Sequence, residues 1–145
     1  MKIQPDGSFE IVSSHSEQVL DINQRSKECG VIVQQWPSIG EKNQRFELCP
    51  VLLPQNHYNL ELCHSGLLLD VQEDTSRRSK RAVQCAMLEG KSQLFTIVML
   101  DDGYCLIKHI YSDSALTIQS DTDTPNEGAK VILRKYNANK NKKKS

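Results

Sequence analysis

The chain has 145 residues and a formal net charge of zero, with 38% apolar and 25% charged residues. A chain of this length is the size of one domain and can bury a core without disulfides or a structural metal. Its neutral balance gives the whole molecule no electrostatic preference for nucleic acid or an anionic membrane, and its apolar runs are too short to span a bilayer. The first residues lack the basic and apolar segments of a secretory signal, so we expect a cytoplasmic protein or one exported without a signal peptide.

The cysteines number five, so they cannot all pair within one chain. They show neither CxxC spacing nor an accompanying histidine pattern, and we therefore predict no metal and no cofactor. Thiols in a chain without a leader favour a reducing compartment. Most of the five are expected to be small, half-buried apolar residues.

Short β-strand patterns begin near the N-terminus and continue along the chain. Residues 9–12, 19–22, 31–35 and 45–48 are rich in β-branched or aromatic side chains and are separated by turn formers such as Asp-Gly and Gly30. The stretch from Gly30 to Leu48 also contains the single tryptophan, Trp36, flanked by the amide side chains of Gln34 and Asn43. An indole face beside amides suits a partly apolar ligand rich in hydroxyls, such as a sugar ring.

The same pattern then returns twice. His15-Ser16, Leu20-Asp21, Val33-Gln34 and Gln44-Arg45-Phe46 are matched by His64-Ser65, Leu69-Asp70, Val83-Gln84 and Gln93-Leu94-Phe95. A weaker third copy begins at Tyr104, and its closing motif falls on Lys142 to Lys144. We predict three units, at about residues 7–52, 53–100 and 101–138, with four strands each and twelve in all. Such an all-β chain closes on itself with pseudo-threefold symmetry, which removes exposed strand edges.

This repeated unit, with its Leu-Asp-(Ile/Val) strand and its closing Gln-x-Phe, resembles the ricin-B-like lectin family, in which each repeat closes on a QxW motif. The resemblance covers Phe9 to about Tyr136. It implies a β-trefoil, here as a single domain over residues 1–138. The last residues, 139–145, form a Lys-rich tail that we expect to be disordered.

The resemblance also implies where sugar would bind. In such lectins an Asp accepts hydrogen bonds from sugar hydroxyls, an aromatic ring stacks on the sugar, an Asn contacts a hydroxyl and the motif's Gln orients the Asp. The first repeat has the whole set: Asp21, Gln34, Trp36, Asn43 and Gln44. The second keeps Asp70, Gln84 and Gln93 as a weaker site, with Ala86 in place of Trp36 and Ser92 in place of Asn43. In the third, Thr117, Ile132 and Arg134 replace the Asp, Gln34 and the Trp, and Tyr136, two residues further along the sequence, is a candidate substitute ring.

We therefore expect a non-enzymatic carbohydrate-binding protein, with galactose or N-acetylgalactosamine as the usual ligand of the family. Weak single sites work through avidity, so we expect glycans or glycoconjugates as partners and a homo-oligomer or a larger complex. No arrangement of nucleophile and base, and no Gly-rich phosphate loop, indicates catalysis.

Two other functions stay open at this stage. The trefoil also serves as a protein-interaction module, for example in a toxin complex, an inhibitor or a cytoskeletal binder. A third hypothesis, behind these two, is a domain that directs a catalytic partner on another chain to glycans.

Structural roles also stay open for individual residues. Trp36 could pack in the core, and Asp21 and Asp70 could support neighbouring strands. The basic residues 77–81, expected in a loop of the second repeat, and the tail are either solvated surface or a contact for an anionic glycan, lipid or nucleic acid.

Overall fold

The protein is an all-β molecule in a computed structural model that describes residues 2–3, 7–52, 56–74, 79–88, 92–119 and 127–136. Two single 3-10 turns, Asn23–Arg25 and Lys42–Gln44, are the helical elements of the described part. The strands are β1 (Lys2–Ile3), β2 (Phe9–Glu10), β3 (Val19–Ile22), β4 (Val33–Trp36), β5 (Phe46–Pro50), β6 (Tyr58–Leu62), β7 (Leu68–Asp74), β8 (Ser79–Cys85), β9 (Phe95–Met99), β10 (Cys105–His109), β11 (Ser114–Ile118) and β12 (Val131–Arg134).

The strands repeat the same pairing in each unit. The inner hairpins β3–β4, β7–β8 and β11–β12 are antiparallel pairs, and the fourth strand of one unit pairs with the first strand of the next in β5–β6 and β9–β10. The first and fourth strands of a unit also meet, at Phe9 opposite Phe46 and Tyr58 opposite Phe95. These contacts give a barrel-like sheet and three inner hairpins.

Neighbouring hairpins contact one another. Strand β12 pairs with β8 at Ile132 opposite Arg81, and isolated bridges join Ile32 to Val83 and Gln34 to Lys130. Each repeat therefore borders the other two along its third strand, which is β4, β8 or β12. These contacts bring together residues that are far apart in sequence.

The core is built from the alternating apolar positions of the strands. Phe46 and Phe95, which close the first two repeats, are completely or almost completely buried, together with Leu60, Leu62 and Leu69. The rings of Phe9 and Phe46 stack with centroids 6.4 Å apart. Burial of aromatic and branched side chains of this kind supplies the main driving force for folding.

The described residues of the third repeat form three strands. The first two repeats each contribute four described strands, and the third contributes β10, β11 and β12. Its expected fourth strand and the Lys-rich tail lie outside the described residues. Strand β1 pairs antiparallel with β2, with Ile3 opposite Phe9. It therefore lies beside the first strand of the first repeat, as β5 lies beside the first strand of the second repeat.

The basic residues 77–81 were predicted to lie in a loop, and the structure corrects this for residues 79–81. Ser79 to Cys85 form strand β8, so Lys80 and Arg81 lie on a strand and not in a loop. The guanidinium of Arg81 donates to Gln72 Oε1 across the β7–β8 pair, at 2.9 Å and 3.2 Å. Residues 77 and 78 lie outside the described part. Within that part, no helix has the length and apolar character that crossing a bilayer requires.

Candidate functional site

Asp21 lies in the middle of β3 and is almost fully buried, with 3% of its surface exposed. Three side-chain amides donate hydrogen bonds to its carboxylate. Gln34 Nε2 donates to Oδ1 at 3.2 Å, whereas Gln44 Nε2 and Asn43 Nδ2 donate to Oδ2 at 2.8 Å and 3.3 Å. The structure thus brings four of the five predicted residues into one hydrogen-bonded cluster.

The local backbone explains how these residues meet. Gln34 is the cross-strand partner of Asp21 in the β3–β4 pair, so the two side chains lie on the same face of the hairpin. Asn43 and Gln44 occupy consecutive positions of the 3-10 turn Lys42–Gln44, and both are buried. A single tight turn presents adjacent side chains to the same carboxylate.

Gln44 has a second role beside its contact with Asp21. Its Nε2 also donates to the carbonyl of Pro37 at 3.0 Å, and its Oε1 accepts from the backbone N–H of Ile39 at 2.9 Å. The fully buried side chain therefore ties the loop after β4 to the Asp21 strand. Loss of such a side chain would leave several buried polar groups without partners.

Trp36 ends β4 and is the exposed member of the group, with 37% of its surface accessible. Val19 is its cross-strand neighbour. Its position at a strand end agrees with the sequence, because Pro37 follows directly and cannot donate to a continued ladder. An accessible indole beside a buried carboxylate is available for stacking in a way that a core tryptophan is not.

A segment of the third repeat borders this ring, which the sequence did not predict. Gly128 N–H donates to the carbonyl of Gln35 at 2.8 Å, and Gln35 N–H donates to the carbonyl of Ala129 at 2.8 Å. A Cβ at Gly128 would lie 3.9 Å from Trp36 Cζ3 and 3.8 Å from Gln34 Oε1, and its φ of +82° favours glycine. The sequence indicated only that Gly128-Ala129-Lys130 belongs to the third copy of the repeat, and not that it lies beside Trp36.

The electrostatics of the site follow from burial. Burial raises the pKa of the Asp21 carboxyl above its ordinary value of 3.8, and the bonds from Gln44, Gln34 and Asn43, with the charge of His64, act in the opposite direction. A carboxylate offers about four acceptor positions, and the three amides use three of them. Among the described residues, Gln34 is the one side-chain donor to Oδ1, which leaves one acceptor position there for a further donor.

Asn43 supplies a second acceptor. Its Nδ2 donates to Asp21 and to the carbonyl of Ile22, at 3.2 Å for the latter. Its Oδ1 is buried and has no hydrogen-bond partner within the described part of the chain. A buried carbonyl oxygen without a partner is costly, and a ligand hydroxyl is one group that would satisfy it.

The second repeat keeps part of this arrangement. Gln93 Nε2 donates to Asp70 Oδ2 at 3.1 Å and to the carbonyl of Ala86 at 2.7 Å, and its Oε1 accepts from Leu88 N–H at 3.0 Å. These contacts repeat those of Gln44 with Asp21, Pro37 and Ile39. Asp70 Oδ1 accepts instead from the backbone N–H of Val71 at 2.7 Å.

Strand pairing corrects the predicted alignment of the second repeat by one residue. Asp70 lies opposite Val83, as Asp21 lies opposite Gln34, and Leu68 lies opposite Cys85, as Val19 lies opposite Trp36. Gln84 is therefore the counterpart of Gln35. Both accept from a serine hydroxyl, Ser65 for Gln84 and Ser16 for Gln35.

Two consequences follow for the second repeat. The structure does not bring Gln84 to Asp70, because neighbouring residues of a strand point to opposite faces. Cys85, not Ala86, occupies the place of the tryptophan, and Ala86 corresponds to Pro37. Ser92 stands at the position of Asn43, as predicted.

The third repeat has neither the carboxylate nor the ring at these positions. Thr117 lies opposite Ile132, and Ala115 lies opposite Arg134. The Thr117 hydroxyl donates to the carbonyl of Ala115 at 3.1 Å. Tyr136 is half-buried beyond the end of β12.

Sequence comparison identifies the family to which the chain belongs. The family described as "Ricin-type beta-trefoil lectin domain-like" matches residues 2–79 and 42–134. The chain therefore belongs to this family, and its all-β fold with three related units agrees with that membership. A search of the curated proteins found no match.

Solved structures share the fold along nearly the whole chain. The designed threefold-symmetric protein ThreeFoil is 30% identical, covers 92% of both chains and superposes with a TM-score of 0.81. A mosquitocidal holotoxin is 14% identical over 94% of this chain and 16% of its own, with a TM-score of 0.80. The Macrolepiota procera ricin B-like lectin, in complex with lactose, is 15% identical over 94% and 91% of the two chains, with a TM-score of 0.72.

Proposed function

We propose that the protein is a lectin that binds galactose- or N-acetylgalactosamine-type sugars without catalysis, at one site in the first repeat. Membership of the lectin-like family supports carbohydrate binding in general. The observation that carries the choice of site is the exposed Trp36 ring beside buried Asp21, whose carboxylate receives three amide hydrogen bonds.

Each part of this group has a task in sugar binding. The C–H face of a pyranose stacks on Trp36, which contributes about 1 kcal/mol beyond simple area burial. The free acceptor position on Asp21 Oδ1 takes one sugar hydroxyl, and Asn43 Oδ1, which is buried without a partner among the described residues, takes another. Gln34 and Gln44 hold the carboxylate in place.

The choice of sugar rests on the family and on a neighbour. The Macrolepiota procera ricin B-like lectin is in complex with lactose, a galactose-containing disaccharide. A tryptophan beside an Asp and an Asn gives one apolar face and two hydroxyl acceptors, which suits such a sugar.

A shallow open site of this kind binds weakly, on the order of 0.1–10 mM, which corresponds to about 3–5 kcal/mol. Useful binding then depends on several copies of the chain or on a partner that presents it, since avidity multiplies weak affinities. We propose a homo-oligomer or a larger complex for this reason, in the cytoplasm or outside the cell after export without a signal peptide.

A glycan array tests the function directly. The purified protein is applied at high density as wild type, as Trp36→Ala and as Tyr111→Ala, which removes an aromatic ring that is 70% exposed in the third repeat. We expect galactose-containing glycans to retain the wild type and Tyr111→Ala but not Trp36→Ala. Equal retention of all three proteins would exclude stacking on Trp36.

A protein-interaction module is the second candidate function. In the second repeat, Val83 replaces Gln34 and Cys85 replaces Trp36, and this loss of site residues favours a protein-interaction role. The fold shared with part of a mosquitocidal holotoxin also favours it. No glycan retained by the wild type, together with a protein partner captured in excess free galactose and by Trp36→Ala, would favour this function.

A further inference from the structure

Two cysteines that are distant in sequence lie side by side where the first and second repeats meet. Cys29 precedes β4 in the first repeat, Cys85 ends β8 in the second, and their sulfur atoms are 2.6 Å apart. Cys29 is exposed and Cys85 is half-buried. A disulfide bond is about 2.05 Å long, so the two sulfurs are within a small movement of bonding distance.

The backbone around Cys29 is anchored to β8 on both sides of the cysteine. Gln84 Nε2 donates to the carbonyls of Ser26 and Glu28 at 2.9 Å and 2.7 Å. Gly30 N–H donates to the carbonyl of Gln84 at 2.7 Å, and Gln84 N–H donates to the carbonyl of Val31 at 3.1 Å. Since Gln84 is fully buried, these bonds hold the Cys29 loop against the strand that carries Cys85.

We propose that Cys29 and Cys85 form a reversible disulfide with a small-molecule disulfide, such as oxidised glutathione, as the oxidant. This site is separate from the proposed sugar function. Cys85 stands at the position that Trp36 has in the first repeat. The crosslink therefore joins the Cys29 loop to a position where the second repeat has no aromatic ring.

The exchange proceeds in two balanced steps. The Cys29 thiol gives up its proton, and its thiolate attacks one sulfur of the oxidant, which breaks the S–S bond and releases one glutathione thiolate. The Cys85 thiol then loses its proton and attacks the Cys29 sulfur, which forms the protein disulfide and releases the second glutathione. Two protein thiols are oxidised and one glutathione disulfide is reduced to two glutathiones.

The surroundings of the two thiols favour this order. The hydrogen bond to Cys29, burial and the charge of Asp70 raise the pKa of the Cys85 thiol to about 11. The first of these causes needs both thiols, so it is lost once Cys29 carries glutathione. Exposed Cys29 is the sulfur that a reagent in solution reaches first, and Cys85 resolves the mixed disulfide from within contact distance.

The test uses the full-length protein incubated with oxidised glutathione, blocked with an alkylating reagent and digested for mass spectrometry. We expect a peptide pair joined through Cys29 and Cys85 and lighter by two hydrogen atoms than the separate thiol peptides. Reduction with excess dithiothreitol restores both thiols. The oxidised protein should unfold at a temperature higher by about 5–15 °C, since the crosslink closes a long loop of the unfolded chain.

Single variants make the result specific. Cys85→Ser should stop at a glutathione adduct on Cys29, and Cys29→Ser should give no crosslink to Cys85. Cys49→Ser is the matched control, because Cys49 Sγ contacts Glu61 Oε2 at 3.6 Å on another pair of strands, and this variant should crosslink like the wild type. Stable glutathione adducts on Cys29 in the wild type with no joined peptide, or a joined peptide between other cysteines only, would overturn the proposal.

Discussion

The first and second repeats share the same backbone and the same Asp–Gln pair, yet they differ at every other position of the candidate site. Gln44 and Gln93 each donate to the Asp and to a loop carbonyl, and each accepts from a backbone N–H. Around this shared pair, Val83 faces Asp70 where Gln34 faces Asp21. Cys85 stands at the position of Trp36, so the second repeat has no ring there.

The second repeat therefore acts as an internal control for the first. Because the Asp–Gln pair is kept where the ring is missing, the pair serves the architecture of both repeats by joining the loop after the third strand to the second strand. The features found in the first repeat alone, the exposed Trp36 and the amides of Gln34 and Asn43, are those that distinguish the proposed sugar site.

The largest expected effect is on stability, in both repeats alike. Gln44→Ala and Gln93→Ala each remove a buried side chain with contacts to an Asp, a carbonyl and an N–H, and each should lower the free energy of unfolding by about 2–4 kcal/mol. Urea denaturation measures both changes. If one variant were destabilised and the other not, the shared structural role would be wrong.

The second prediction separates the two aspartates by binding. Asp21→Asn replaces an acceptor oxygen in a group of three amide donors and should weaken galactoside binding at least tenfold, or about 1.4 kcal/mol. Asp70→Asn is the matched control and should bind like the wild type. Isothermal titration with a galactoside, together with circular dichroism to show that both variants fold, gives the comparison; a larger loss in Asp70→Asn would reverse the roles of the repeats.

The third prediction concerns pH. Burial raises the pKa of Asp21. In the proposed site a sugar hydroxyl donates to the charged carboxylate, so binding should be constant near neutral pH and weaken as the pH falls through that raised pKa. The onset lies above the ordinary value of 3.8.

The titration of Asp21 does not itself unfold the protein as the pH falls. The folded state holds the Asp21 proton more tightly than the unfolded state, so the contribution of Asp21 to stability decreases as the pH rises through this window and is present below it. A binding constant that stays flat down to the ordinary range of an aspartate would contradict direct contact with Asp21.

The smallest expected effect is the gain of a weak sugar site in the second repeat. The triple variant Val83→Gln, Cys85→Trp and Ser92→Asn gives the second repeat the side chains of the first at corresponding positions. We expect a second weak site, visible as an increase in sugar bound per chain at saturation. Val83→Gln with Ser92→Asn, without the ring, should not raise that stoichiometry. Equal stoichiometry for the triple variant and wild type would mean that side-chain identity alone does not define the site.

The sequence predicted the family and the repeated strands, and the family resemblance predicted that Asp21, Gln34, Asn43 and Gln44 lie together. It misaligned the second repeat, because Val83-Gln84 has the same letters as Val33-Gln34. A shift of one residue in a strand moves a side chain to the opposite face, and that shift exchanged the counterpart of Gln34 for that of Gln35.

Contacts between repeats could not be predicted in this way. Gly128 beside Trp36 and Cys29 beside Cys85 join segments that the repeat alignment treats as separate units. Their proximity depends on how three hairpins pack around the pseudo-threefold axis. No comparison of one repeat with another contains that information.

The most direct test of the central claim is an NMR titration of the isotopically labelled protein with a galactoside. The indole N–H of Trp36 and the side-chain amide of Asn43 report on the first repeat, and the backbone amides of Asp70 and Cys85 report on the second. We predict chemical-shift changes that saturate together at Trp36 and Asn43, with none at Asp70 and Cys85. Changes centred on Asp70 and Cys85, or none at Trp36 at saturating sugar, would contradict a single site in the first repeat.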